Sequence, residues 1–112
     1  MIRAHKNVNE ESAAYVTAYY YSKTGAAVTP DAIRYRIDDV TDGLPGNEIL
    51  TWTDVTPSGT SSEIIVTAEQ NSMLNSGQDV ERRQVTVEAT GTDGQAWREI
   101  FEYQLVNLAG TT

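Results

Sequence analysis

The stretch from Gln95 to Leu108, QAWREIFEYQLVNL, constrains the fold more than any other part of the chain. From Trp97 its odd positions read Trp97, Glu99, Phe101, Tyr103 and Leu105, and its even positions Arg98, Ile100, Glu102 and Gln104. Side chains on a strand point to alternate faces. The pattern therefore predicts a long, half-buried β-strand with three large rings and a leucine on one side. Rings of that size anchor a sheet-on-sheet core. Glu99 interrupts the aromatic face, which calls for an arginine partner, Arg83 or Arg34, or for a β-bulge.

The upstream chain reads as shorter strands laid around this one. Residues 1–12 are polar, lack periodicity and hold the single histidine, His5, so they are expected to form a flexible arm that orders against a neighbour. Residues 13–21, AAYVTAYYY, predict a strand with Ala14, Val16, Ala18 and Tyr20 on one side and Tyr15, Thr17, Tyr19 and Tyr21 on the other. Such a strand is either covered on both faces or shows tyrosines to a partner. A turn follows, with Lys23, Thr24 and Gly25 at its tip.

Residues 31–38 give the cleanest alternation, Ile33, Tyr35 and Ile37 against Arg34, Arg36 and Asp38. After the turn-rich DVTDGLPGN comes a strand over residues 48–55, with Leu50 and Trp52 on one face. Residues 63–68 set Ile64, Val66 and Ala68 against Ile65, and AEQNSML then predicts one helical turn over the end of the fold. Residues 81–90 turn Val85, Val87 and Ala89 inward and Gln84, Thr86 and Glu88 outward. Gly91 to Gly94 form a hairpin connection into the final strand.

Roughly six or seven short strands with regular turn signals predict an antiparallel β-sandwich of the immunoglobulin-like or fibronectin-III-like plan, with one short helical turn. It occupies residues 13–108, with a tail at 109–112. Trp52 falls where such folds keep a core aromatic. At 112 residues the chain supports one domain.

Chemistry is sparse. The chain has no cysteine, and its one histidine lies in the arm, so a histidine-activated nucleophile is not expected. Glu99 and Glu102 are three apart on a strand and face opposite ways. The oxygen-rich run DDVTDGLPGNE departs from the spacing of a calcium loop and reads as turn chemistry. A non-enzymatic protein without metal or cofactor is the expectation. The net charge is −8, with 16 acidic residues against 8 basic, which disfavours nucleic acid as a partner. Arg34 with Arg36, and Arg82 with Arg83, stand among Asp38, Asp39 and Glu81, where ion pairing accounts for them. No run reaches the roughly 18 apolar residues a membrane span needs, so no membrane partner is expected. What remains is a binding surface, for which Tyr15, Tyr19 and Tyr21 are the candidate contacts, tyrosine being enriched at interfaces.

The segments PDAIRYRIDDVTDG, ILTWTDVTPSGTSSEIIVTAEQNSML, ERRQVTVEAT and EYQLVNL, in this order and spacing, resemble a small group of structural proteins of tailed phages and prophages. The resemblance covers residues 29–108. It implies an immunoglobulin-like virion protein, made in the host cytoplasm and assembled into the particle. The expected role is a head decoration or cement subunit that binds a capsid or neck protein, with self-association as a further option. A head–tail joining or tail-associated protein is the alternative place, and a carbohydrate- or receptor-binding module the alternative class.

Overall fold

The computed structural model describes residues 2–4 through their backbone, and residues 7–22, 24–43, 46–75, 77–91, 94 and 96–108 in full. His5, Lys23, Thr92, Asp93 and the 109–112 tail lie outside the described residues. Among the described residues there are eight strands: β1 (Ile2–Ala4), β2 (Val8–Asn9), β3 (Ala14–Tyr19), β4 (Ala32–Asp39), β5 (Asn47–Val55), β6 (Ser61–Val66), β7 (Val80–Thr90) and β8 (Ala96–Val106). They form a six-stranded mixed sheet, ordered β1-β8-β7-β4-β5 with β2 also on β8, and a two-stranded antiparallel sheet, β3-β6.

The final strand is the hub that its alternation predicts. It pairs with β7 from Val80↔Val106 to Thr90↔Ala96, and β7 pairs in turn with β4. Phe101, Tyr103 and Leu105 of β8 are buried, as are Val85, Val87 and Ala89 of β7 and Ile33 and Ile37 of β4. Against them pack Ala14, Val16, Ala18 and Tyr20 from the β3 segment and Ile64 and Val66 from β6, so the two sheets share one core. Each branched aliphatic side chain buried this way stabilises by about 1.5–3 kcal/mol. Trp97 meets Tyr20 edge-on, with ring centroids 6.2 Å apart. Its Nε1 donates to the Tyr21 carbonyl at 2.7 Å, which fastens the end of β3 to β8.

Five expectations need correction. The large sheet is not purely antiparallel, because β1 and β2 run parallel to β8 (Ile2↔Ile100, Val8↔Leu105). The leading segment thus lies on its own chain's edge strand and does not wait for a neighbour. It pairs through its main chain, which leaves no side-chain pattern in the sequence. The segment after β6 is not a helix, and no helix occurs among the described residues. It winds through one turn of hydrogen bonds, with the Asn71 amide donating to the Thr67 carbonyl at 3.1 Å, and is then caught by side chains.

Trp52 is not a core residue. The β4–β5 register skips between Tyr35↔Thr53 and Ile37↔Leu50, and again before Asp38↔Glu48, so β5 carries extra residues. A bulge resets the alternation downstream of it. Leu50 packs on the core while Trp52 turns outward under the Arg34 guanidinium, 4.1 Å from the ring centroid. The arginines suggested for Glu99 are also engaged elsewhere: Arg34 pairs with Glu88 at 2.7 Å and Arg83 with Asp39 and Glu81.

The β4–β5 hairpin depends on Gly46. A Cβ there would lie 2.5 Å from the Asp39 carbonyl oxygen and 3.0 Å from Val40 Cγ1. Backbone cannot yield as a flexible side chain does, so Gly46→Ala is expected to cost about 1–3 kcal/mol. Thermal denaturation reads this directly, and an unchanged midpoint would contradict the close approach.

One end of the fold is closed by polar groups. Arg83 is fully buried, and its guanidinium donates to Asp39 Oδ2 (2.8 Å), Glu81 Oε1 (2.7 Å) and the carbonyls of Gln70 (2.9 Å) and Ser72 (2.8 Å). Glu81 accepts the Leu74 and Asn75 amides at 3.0 and 2.8 Å. Beside it, buried Asn71 donates to the Ser12 carbonyl at 2.7 Å and accepts from the Tyr103 hydroxyl at 2.5 Å. Burial pushes the Tyr103 pKa up to about 12, against the opposing pull of the Arg83 charge and the Asn71 bond. A free tyrosine ionises near 10. The folded value is therefore the higher, so this contribution is complete below about pH 10 and is lost as pH rises toward 12. Denaturant melts across that range are expected to show falling stability in the parent and a flatter profile in Tyr103→Phe.

Candidate interaction face

The small sheet is two strands wide, and its outer side meets no other described element. Register puts Tyr15 opposite Ile65, Thr17 opposite Glu63 and Tyr19 opposite Ser61. Tyr21 continues the alternation just past the end of β3, in a single bridge with Ala27. Tyr15 and Tyr19 are each 54% exposed, Tyr21 52% and Ile65 48%. All three tyrosines named from the sequence thus lie on one side. Tyr20, the ring between two of them, is buried in the core. At about 3.3 Å per residue the stripe from Tyr15 to Tyr21 runs on the order of 20 Å.

The Tyr20 hydroxyl points toward Ser62 and Glu99. Burial raises its pKa most, Ser62 opposes, and the Glu99 charge adds to the rise. It belongs to the interior, so the exposed rings alone form the face. Glu63 is the one carboxylate on the strand positions of that face. Large amphipathic rings, one branched aliphatic and little charge are the composition of an interface centre. Ile65 completes the patch, and its place opposite the Ile64–Val66 face was the sequence signal for it.

The outer side of the six-stranded sheet is different. Glu88 accepts from both Arg34 and Arg98, Arg36 pairs with Asp38 at 2.8 Å, and Arg82 with Glu102 at 3.3 Å. The bonds from Arg98, then Arg34, hold the Glu88 carboxyl below its ordinary pKa. Exposed pairs of this kind contribute about 0–1 kcal/mol each. A shallow hollow of about 230 Å³ lies between Arg34, Asp54 and Glu88. Here charge is already matched by charge.

No group of three or more His, Cys, Asp or Glu side chains converges among the described residues. Two carboxylates of the 38–48 run are engaged: Asp38 with Arg36, and Asp39 with Arg83 and the Thr41 amide at 3.1 Å. No described helix is long and apolar enough to cross a membrane. Comparison with protein-family models, curated proteins and solved structures returns no match. The reading of function therefore rests on the geometry and on the sequence.

Proposed function

We propose that this chain is a non-enzymatic binding protein with an immunoglobulin-like sandwich, acting as a structural subunit of a tailed-phage particle. The single observation that carries the binding role is the run of half-exposed rings, Tyr15, Tyr19 and Tyr21, with Ile65 beside them on one weakly charged face. Apolar side chains of that size left in water on one sheet are better accounted for by a partner than by the fold's own needs.

The strand order supports the immunoglobulin-like assignment. A sheet ordered β8-β7-β4-β5 facing a β3–β6 pair corresponds to the variable-type split, with β4, β5, β7 and β8 as strands C, C′, F and G and β3 and β6 as B and E. The segments that resemble phage structural proteins support the particle as the place of action, and a head decoration or cement subunit on a capsid or neck protein is the role we favour.

Co-sedimentation of the purified protein with phage particles or empty shells tests it. Saturable binding at high copy number supports decoration, whereas a self-assembled ring at low copy number moves the protein to the neck or tail. An inert monomer that instead binds glycans would replace this reading with a carbohydrate-binding one.

A further inference from the structure

The two sheets are unequal, and the inequality leaves a strand edge open that runs toward a groove with apolar lining. The small sheet has only β3 and β6, so β6 has no second neighbour among the described residues. The Tyr20 amide donates to the Thr60 carbonyl at 3.0 Å, which identifies that pair as hydrogen-bonded. Antiparallel pairs alternate. Ala18↔Ser62, Val16↔Ile64 and Ala14↔Val66 are therefore bonded as well. The amides and carbonyls of Ser61, Glu63 and Ile65 consequently point away from β3, along the free edge.

Where the chain leaves β6, a groove of about 580 Å³ opens between it and the start of β5, with Ile49, Met73 and Leu74 among its lining. Leu74 is 56% exposed. The gap beside β3 is only about 100 Å³ and is closed by Trp97 and Arg98. The edge of β5 is interrupted by its bulges, a device that discourages strand addition. Of these edges, β6 alone combines unpaired main chain with a groove of this size opening at its end.

We propose that β6 accepts an added strand from a partner: an extended segment that alternates apolar residues, facing the groove, with lysine or arginine. The charge follows from the surroundings. Glu48 and Glu69 line the groove and Glu63 stands at the middle of the edge, in a chain of net charge −8. A second copy is a poor occupant, because antiparallel pairing of two β6 strands about their middle sets Glu63 opposite Glu63, and like charges so placed repel. The main chain supplies affinity and the groove supplies selectivity, as in other strand additions. The edge adjoins the tyrosine face and shares Glu63 and Ile65 with it. It binds through main chain and groove where that face binds through the Tyr15 and Tyr19 rings, so ring substitutions and groove substitutions separate the two.

The test uses the whole chain, isotope-labelled, and a synthetic peptide of alternating valine and lysine. The peptide is expected to slow amide exchange at Ser61, Glu63 and Ile65 and to shift Ile49, Met73 and Leu74, while a valine–glutamate peptide does neither. Glu63→Pro removes an amide that β3 does not use, and is expected to weaken peptide binding by about tenfold or more without loss of fold. Leu74→Glu, at an exposed position, is expected to weaken it as well, and keeps the question open to measurement if the proline variant misfolds. Shifts confined to Tyr15 and Tyr19, equal binding of the acidic peptide, binding unaffected by Leu74→Glu, no binding at low salt, or protection of the same amides by self-association without peptide would each overturn the proposal.

Discussion

Arg83→Met is expected to destabilise the domain by about 3–5 kcal/mol, the usual cost of removing one partner from a buried ion network. The guanidinium is fully buried and makes four hydrogen bonds, two to carboxylates and two to carbonyls of the segment after β6. Methionine fills much of the volume but leaves Asp39 and Glu81 facing each other's charge, and leaves the Gln70 and Ser72 carbonyls without donors. The melting midpoint is expected to fall by about 10 °C or more, since a domain of this size loses several degrees per kcal/mol. Adding Asp39→Asn and Glu81→Gln is expected to restore a large part of that loss. Asp39→Asn keeps an acceptor oxygen for the Thr41 amide, and Glu81→Gln keeps one for either the Leu74 or the Asn75 amide, while both remove the uncompensated charge. A single variant that melts like the parent, or a triple variant no better than the single one, would show that the charges are not the source of the effect.

The second large effect is on binding. Tyr15→Thr with Tyr19→Thr keeps strand preference on a solvent-facing surface, so the melting point should move by no more than about 0.5 kcal/mol of stability. Truncating a ring at the centre of an interface typically costs about 2 kcal/mol or more, which is roughly 30-fold in affinity. On the role proposed above, occupancy on shells or particles is therefore expected to collapse while the fold stays intact. Tyr20→Thr would give the opposite pairing of results, because that ring is in the core: loss of fold first, and binding only as a consequence. A Tyr15/Tyr19 variant that decorates particles normally would remove the tyrosine face from consideration and leave the β6 edge as the surviving candidate.

What the sequence discloses here follows the range of the interactions. Parity alone separates Tyr15, Tyr19 and Tyr21 from Tyr20, since neighbours on a strand must face opposite ways. The alternation over residues 97–105 and 85–89 gives the core in the same manner. Trp52 escapes that logic because a bulge in β5 adds residues and resets parity, and a single sequence carries no mark of it. The Arg83 and Asn71 clasps escape for another reason. Their partners lie 44 and 59 residues away at Asp39 and Ser12, and only the folded topology brings them together. The β1 and β2 pairing leaves no trace at all, because it uses groups every residue has.

That last pairing has a mechanical consequence. The opening segment runs parallel to the closing strand and alongside it, with Ile2 beside Ile100 and Val8 beside Leu105. A tension that drags Ile2 backward and Val106 forward pulls the two strands past each other along their length. The hydrogen bonds between them then carry the load side by side and must yield together, where a hairpin pulled open at its end would give way one bond at a time.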